Sequence, residues 1–346
     1  MGTLWTLGIV IVLCILAEGV LRVSGTYRTW SEIQGGGYVS PTDSHHFYVP
    51  WVGRDNRIEA KYHIVQPEFE HVVTTNSLGM RADEPEGEKP AGIRRIIGLG
   101  DSFAMGYGVE REDSWLEVIE RNLNSRMEES GSPVRYETVN AAVPGHDPVF
   151  SYQMLYRRAI RFEPDIVVLA VNDSDVFDLA IRGGMDRFDE QGRVTGVGDA
   201  PFEFLFQHSH LARSIIMLSP RTFGHRLHWN QLTDEEDRTA QQDMANAAAS
   251  LAQLGKERGF HFLMVAHPHL YAVNGEKTTN SFGALQAELT TLGIHYFDLT
   301  PLFRRAAARD GIEVYFYPVD GHYTPAGQRL MGAGTDYALQ RLKFVE

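Results

Sequence analysis

Five short apolar segments alternate with helical patterns after residue 93, and this alternation limits the fold more than any other feature. The predicted strands cover residues 94–100, 136–140, 165–171, 260–266 and 295–299. The third, DIVVLAV, is apolar after its first residue, as a strand buried on both faces should be. Strands that alternate with helices form parallel sheets covered on both faces. The sequence therefore predicts an α/β fold with three α/β/α layers, built on a doubly wound parallel sheet of about five strands.

Helical spacing of apolar residues fills the intervals between these strands. Thr233 and Glu236 form a capping-box pattern that begins a long helix rich in Ala and Gln, ending near Gly259. The other predicted helices cover residues 114–129, 150–162, 281–292 and 325–342. In such a sheet the ligand site is expected at the C-terminal ends of the strands.

A polar stretch with Pro and Gly at 86–92 is the best candidate for a domain boundary. Before it, residues 26–92 are predicted to form an irregular N-terminal extension, with weak strand-like alternation at 69–75. After it, residues 93–346 form the main domain. Within that domain, residues 178–232 lack a clear period and are predicted to be an insertion or a lid.

The N-terminus carries an apolar run from Leu4 to Leu21 whose one charged residue is Glu18. A run of about 18 to 20 apolar residues matches the hydrocarbon core of a bilayer. Residues 1–25 are therefore predicted to be a transmembrane anchor, with a signal sequence or a buried helix as alternatives. Arg22 and Arg28 follow the run and no basic residue precedes it, so the positive-inside rule would place the rest of the chain in the cytoplasm.

The composition excludes several classes of partner and cofactor. The net charge of −13 disfavours nucleic acid, because binding phosphates requires clustered Lys and Arg. Cys14 is the single cysteine, which excludes an intrachain disulfide and a thiolate zinc site. No Gly-x-Gly-x-x-Gly pattern follows a predicted strand, which disfavours a dinucleotide site. We expect no cofactor and no metal.

Four residues with catalytic potential lie at predicted strand ends or in the last loop. Ser102, Gly145 and Asn172 follow the first three strands of the sheet, and His322 lies just before the final helix, two residues after Asp320. Each alone has an ordinary explanation as a turn residue, a helix cap or a solvated histidine. Together they supply a nucleophile, a base with its carboxylate and separate oxyanion donors, which acyl transfer requires.

The set resembles the SGNH (GDSL-type) hydrolase superfamily, in which four blocks carry Ser, Gly, Asn and His. The blocks are Gly100-Asp101-Ser102 with the residues to Gly106, the turn with Gly145, the segment 170–173 and Asp320-Gly321-His322. The resemblance covers about residues 93 to 343 and implies a flavodoxin-like α/β/α fold. It also implies that Ser102 is the nucleophile, that His322 is its base and that Asp320 supports His322. The oxyanion hole would consist of Ser102, Gly145 and Asn172.

Two departures from the family pattern concern the third and fourth blocks. Ala170 stands where the family usually has glycine. The family commonly places Asp three residues before His, and Val319 occupies that position here, so the identity of the carboxylate is open. Asp320 is the first candidate, with Asp298 and Asp310 as alternatives.

By resemblance the chain is expected to be a membrane-anchored serine esterase that hydrolyses an ester of a small molecule or a glycan, such as an O-acetyl group on a carbohydrate. Bacterial relatives with this layout place the catalytic domain outside the cytoplasm, in opposition to the charges around the N-terminal run. Two alternatives remain. One is an O-acyltransferase acting on a glycan, and the other is a non-catalytic glycan-binding or assembly protein that keeps the fold.

Overall fold

The computed structural model describes residues 2–24, 61–84, 89–182, 184–185, 209–218, 232–275 and 282–346. The strands in chain order are β1 (Lys61–Val65), β2 (Glu70–Thr74), β3 (Ile93–Leu99), β4 (Arg135–Asn140), β5 (Ile166–Val171), β6 (His261–Ala266) and β7 (His295–Asp298). The helices are α1 (Gly2–Val23), α2 (Ser102–Met105), α3 (Trp115–Ser130), α4 (Pro148–Arg157), α5 (Asp173–Arg182), α6 (His210–Leu218), α7 (Asp234–Arg258), α8 (Leu270–Asn274), α9 (Gly283–Thr291), α10 (Thr300–Asp310) and α11 (Pro325–Arg341).

Five strands form one parallel sheet in the order β4-β3-β5-β6-β7. The chain enters the sheet at β3, adds β4 on one side and then continues with β5 on the other. This is the order 2-1-3-4-5 of flavodoxin-like sheets, and it has its topological switch point between β3 and β5. The predicted fold class, with about five parallel strands, is confirmed, and it is the fold that the resemblance to SGNH hydrolases implied.

Helices cover both faces of the sheet and create two apolar cores. All six residues of β5 are buried, so alternate side chains of this strand enter opposite cores. One core lies between the sheet and the helices α4, α5, α7 and α9, and the other lies under α3, α10 and α11. The Thr233–Glu236 capping box is present at the start of α7, as predicted.

The N-terminal extension contains an antiparallel hairpin of β1 and β2. The strand expected at 69–75 is present as β2, whereas β1 corrects the expectation that the segment before it is irregular. Val73 and Met80 are fully buried, and they join opposite cores of the main domain. Residues 61–84 therefore pack as part of the main domain, although the sequence suggested a boundary at 86–92.

The predicted insertion at 178–232 is described only in part. The segment 178–232 begins inside α5, which packs against α7, so its first residues belong to the main domain and not to an insertion. Within the rest, α6 contacts α1, and the Glu18 carboxylate accepts hydrogen bonds from Ser209 Oγ and from the backbone N–H groups of residues 210 and 211. Most of the remaining insertion lies outside the described residues.

The helix α1 is long and apolar enough over Trp5–Val23 to cross a membrane, and none of this apolar segment is buried inside the protein. A signal sequence near the N-terminus meets the same criteria of length and composition. The membrane anchor and its orientation therefore stay predictions.

Candidate active site

The first candidate residue, Ser102, begins the short helix α2 directly after β3. Gly100 makes this sharp change of direction possible. Its φ is +142°, and a Cβ atom there would lie 2.7 Å from the carbonyl oxygen of Ala170 and 2.8 Å from Ala104 Cβ. Asp101 then caps α2, because its Oδ1 accepts the N–H groups of residues 103 and 104. Ser102 is thereby held at the carboxyl edge of the sheet.

The helix α2 has four residues, too few to be stable by itself. Side chains from distant segments bond the carbonyl groups of residues 103–106 at distances of 2.7 to 3.2 Å. The donors are Arg81, Trp115, Asn140 and Gln328. Sequence reasoning missed all four as site residues. A polar residue within an otherwise buried strand end, as at Asn140, was the one available signal.

Ser102, His322 and Asp320 form a continuous chain of hydrogen bonds. The distance from Ser102 Oγ to His322 Nε2 is 2.7 Å, and the distance from His322 Nδ1 to Asp320 Oδ1 is 2.5 Å. An ionised carboxylate can only accept, so Nδ1 carries the proton and Nε2 offers its lone pair to the serine hydroxyl. This is the tautomer in which a histidine can act as a base toward serine.

The loop that carries His322 is closed by backbone hydrogen bonds. The N–H of Tyr317 donates to the carbonyl of His322 over 2.9 Å, and the N–H of Gly321 donates to the carbonyl of Tyr317 over 2.8 Å. The imidazole ring lies near two aromatic rings, with ring centroids 4.5 Å from Phe103 and 4.9 Å from Tyr107. These contacts restrict the rotation of the ring.

The structure brings one of the three candidate carboxylates to His322. Asp298 Oδ1 accepts the N–H of Thr300, and Asp310 bonds Arg309 and Tyr315. Asp320 is the one adjacent to the imidazole. Partial burial raises its pKa, but the hydrogen bond and charge of His322 outweigh burial, so the pKa lies below its ordinary value. The carboxylate is therefore ionised at neutral pH, as an imidazolium partner must be.

Asn172 lies fully buried at the end of β5. Its Nδ2 donates to Asp101 Oδ2 over 2.9 Å, and its Oδ1 accepts the N–H and hydroxyl of Ser174 over 2.8 and 2.7 Å. Its own N–H donates to Asp175 Oδ2 over 2.7 Å. The side chain thus caps α5 and is also fixed beside the Asp101-Ser102 turn, so the two explanations weighed from the sequence do not exclude each other.

Gly145 lies in a turn closed by a hydrogen bond from the N–H of His146 to the carbonyl of Val143. Gly145 follows Pro144 and has a φ of +77°, so it occupies the third position of a type II turn. That position requires a positive φ and therefore favours glycine. The same loop joins the β3 end, because the N–H of Val143 donates to the carbonyl of Gly100 over 3.0 Å. The loop after β4 therefore lies beside the loop that carries Ser102.

Buried titratable groups surround the site. Burial raises the pKa of Asp101, against the opposing effect of its bond from Asn172, and burial raises the pKa of Asp175 well above its ordinary value. Burial lowers the pKa of His267 to about 3 and that of His71 to about 4, so both imidazoles are neutral at pH 7. Among the described residues no cluster of His, Cys, Asp and Glu could hold a metal ion.

No protein-family model and no curated protein matches the sequence. Among solved structures, similarity is found to a two-domain esterase active on acetylated mannans, with 12% identity and a TM-score of 0.43 over 72% of this chain. The chain spans 50% of that protein's length.

Two further solved structures are similar over almost their whole length. An acetyl xylan esterase, AlAXEase, has 14% identity and a TM-score of 0.42, with 71% of this chain and 99% of that chain covered. A lipase/acylhydrolase from Enterococcus faecalis has 13% identity and a TM-score of 0.42, with coverages of 72% and 96%. These likenesses concern the fold.

Proposed function

We propose that this chain is a serine esterase of the SGNH hydrolase superfamily, with Ser102 as nucleophile, His322 as base and Asp320 as the supporting carboxylate. The observation that carries the proposal is the unbroken chain of hydrogen bonds from Ser102 Oγ through His322 to Asp320. A serine hydroxyl alone is a weak nucleophile, and an adjacent base oriented by a third group is the usual means of activating it.

The reaction would begin when Ser102 Oγ attacks the ester carbonyl and its proton passes to His322 Nε2. Collapse of the tetrahedral intermediate breaks the bond to the alcohol, which leaves with the proton from His322. Water then attacks the acyl-enzyme and gives its proton to the same nitrogen. Release of the carboxylic acid returns the proton to Ser102. The Asp320 carboxylate holds the imidazole in place and stabilises the imidazolium in both halves of the reaction.

Three donors would stabilise the negative oxygen of each intermediate. The N–H of Ser102 lies at the first position of α2, where a helix N–H has no acceptor within the helix. The Asn172 amide carries two hydrogens, and Asp101 accepts one of them; the second is the one that would bind the oxyanion, and the side chain is fully buried in this structure without substrate. The N–H of Gly145 completes the set on the neighbouring loop. Loss of one such donor typically costs about a hundredfold or more in rate.

The substrate we favour is an O-acetyl group on a carbohydrate. Two of the similar solved structures are described as an esterase active on acetylated mannans and as an acetyl xylan esterase.

We also propose that α1 anchors the protein in a membrane with the catalytic domain outside the cytoplasm. A C-terminal alkaline phosphatase fusion tests the orientation, because that enzyme is active only outside the cytoplasm. Activity of the fusion supports the proposal, and an inactive but intact fusion contradicts it.

The decisive experiment measures hydrolysis of p-nitrophenyl acetate by the full chain in detergent. Ser102→Ala and His322→Ala should each lower kcat by a factor on the order of 10⁴ to 10⁶. Ser250→Ala and His295→Ala change the same residue types in α7 and β7, away from the site, and should leave kcat unchanged. A fluorophosphonate should label the wild type and not Ser102→Ala. Equal rates in the wild type and both site variants would refute the esterase proposal.

A further inference from the structure

Glu68 belongs to the connection between β1 and β2, in a part of the chain that carries none of the four sequence blocks. Its carboxylate reaches across to the loop before His322. The N–H of Val319 lies 3.0 Å from each of its oxygens, and the N–H of Asp320 lies 2.6 Å from Oε2. One side chain from the N-terminal hairpin thus binds the backbone N–H of Asp320, the proposed partner of the histidine, and the N–H of the residue before it.

The loop has few other anchors at this point. Residues 318–320 are exposed, and Val319 keeps 85% of its surface in solvent, so no buried side chain holds them. The backbone hydrogen bonds of this loop lie at its ends, between Tyr317 and residues 321 and 322, and within it Asp320 Oδ1 accepts the N–H of His322 over 3.3 Å. Among the described residues, the Glu68 carboxylate is the side chain from outside the loop that binds the backbone N–H groups of residues 319 and 320.

The hairpin that carries Glu68 is itself firmly packed. Phe69 is 8% exposed, and its ring lies 5.3 Å from that of Tyr107 and 4.8 Å from that of Tyr317. Gln66 donates to the Tyr107 hydroxyl over 3.2 Å, and Tyr317 donates its hydroxyl to the carbonyl of Gly108 over 2.9 Å. Glu68 thus lies on a well-packed hairpin, and this hairpin also contacts the aromatic residues near the imidazole.

We infer that Glu68 is a positioning residue, which holds the 319–320 backbone so that the Asp320 carboxylate stays in hydrogen-bond contact with His322. This inference rests on the proposed function. The two carboxylates bind different donors: Glu68 binds the backbone N–H groups, and Asp320 binds the imidazole. A displacement of about 1 Å in a supporting group can cost about a hundredfold in rate, because the reacting geometry is narrow.

Three substitutions separate the role of the acceptor oxygen from that of the charge. Glu68→Ala removes both. Glu68→Gln keeps an oxygen at the same reach without the charge, and Glu68→Asp keeps the charge but withdraws the oxygens by one methylene. We expect kcat for p-nitrophenyl acetate to fall about tenfold to a hundredfold in Glu68→Ala, less in Glu68→Asp and least in Glu68→Gln, with KM within about twofold.

Glu70→Ala is the matched control on the same hairpin. Glu70 is exposed, and its carboxylate lies 2.7 Å from His63 and away from the loop. Glu70→Ala should keep the wild-type kcat. If Glu68→Ala and Glu70→Ala lower kcat equally, the effect belongs to the hairpin as a whole and the inference is overturned. Because Glu68→Gln and Glu68→Asp preserve a polar side chain at the turn, their order tests the inference even if Glu68→Ala fails to fold.

A second arm combines Glu68→Ala with Asp320→Asn in the full chain. If Glu68 acts through Asp320, its removal should lower kcat by less than about twofold once the carboxylate is gone, since coupled residues are not additive. The same fold-loss in both backgrounds overturns the inference. Failure of the proposed function looks different, because Ser102→Ala would then be as active as the wild type. A Ser102-dependent enzyme that is indifferent to Glu68→Ala refutes the role of Glu68 alone.

Discussion

Asp320→Asn tests the residue for which the sequence offered three alternatives. The carboxylate accepts the Nδ1 proton of His322 over 2.5 Å, which leaves Nε2 unprotonated beside Ser102 Oγ at 2.7 Å. An asparagine at this position can present its NH₂ group to Nδ1. The imidazole proton then moves to Nε2, which can no longer accept the serine proton. In addition, the imidazolium loses its negative partner.

The expected magnitude follows from the size of that tautomer effect. In a serine protease the equivalent change lowers kcat about 10⁴-fold, which corresponds to about 5 kcal/mol of transition-state stabilisation. We expect a similar loss here, because the Asp320–His322 contact is short and partly shielded from solvent. The assay is the steady-state rate of p-nitrophenyl acetate hydrolysis by the full chain, with the fluorophosphonate labelling rate of Ser102 as an independent readout.

Asp298→Asn and Asp310→Asn are the matched controls, since both carboxylates bond other groups. Each should keep kcat within about twofold of the wild type, as expected of residues outside the reacting unit. The reasoning is refuted if Asp320→Asn retains more than a tenth of the wild-type rate while either control loses activity. That result would assign the supporting role to another carboxylate.

Two further predictions concern the support of the site. Gly100→Ala should lower the free energy of unfolding by about 2 to 5 kcal/mol, since it combines strain at a positive φ with a contact of 2.7 Å to the Ala170 carbonyl. Urea unfolding measures this loss. Gly131 is the control: its φ is also positive, but a Cβ atom there would have nothing within 4 Å, so Gly131→Ala should lower the free energy of unfolding clearly less. His71 has its pKa lowered from 6.5 to about 4, mainly by burial, so the unfolded chain binds more protons than the folded one in this range and stability falls as pH falls from about 6.5 to 4. His71→Phe should weaken this pH dependence in urea unfolding, and identical pH slopes for both proteins would contradict the assignment.

Much of the fold could be predicted because its signals are local. β5 is apolar throughout, and the start of α7 is marked by a capping box, so periodicity and capping residues predict both elements. Elements with mixed signals were missed. β1 reads KYHIV, which has no clear strand pattern, and it is a strand because it pairs with β2. The helix α10 carries charged residues through its last two turns. Their stability comes from tertiary contacts, which a local pattern does not contain.

In the candidate site too, local sequence signals indicated some residues, whereas others depend on tertiary contacts. Ser102 and Asn172 became candidates because both lie close after buried strands, at the ligand-binding edge of the predicted sheet, and because Gly145 and His322 accompany them in the sequence. The choice among Asp320, Asp298 and Asp310 could not be made from sequence, because it depends on the path of the last loop. That path is set in part by Glu68, which is 252 positions from Asp320 in the chain.

The sequence blocks contain the proposed reacting groups but not the residues that hold them in place. The helix that begins with Ser102 is one turn long, and the carbonyl groups at its end are bonded by Arg81, Asn140 and Gln328. Those side chains come from the N-terminal hairpin region, the end of β4 and the final helix. Since a buried carbonyl without a donor costs about 1 to 3 kcal/mol, these bonds together favour one conformation of the turn that carries the proposed nucleophile. The hairpin region therefore supports the site from both sides, through Arg81 behind the serine and through Glu68 behind the carboxylate of Asp320.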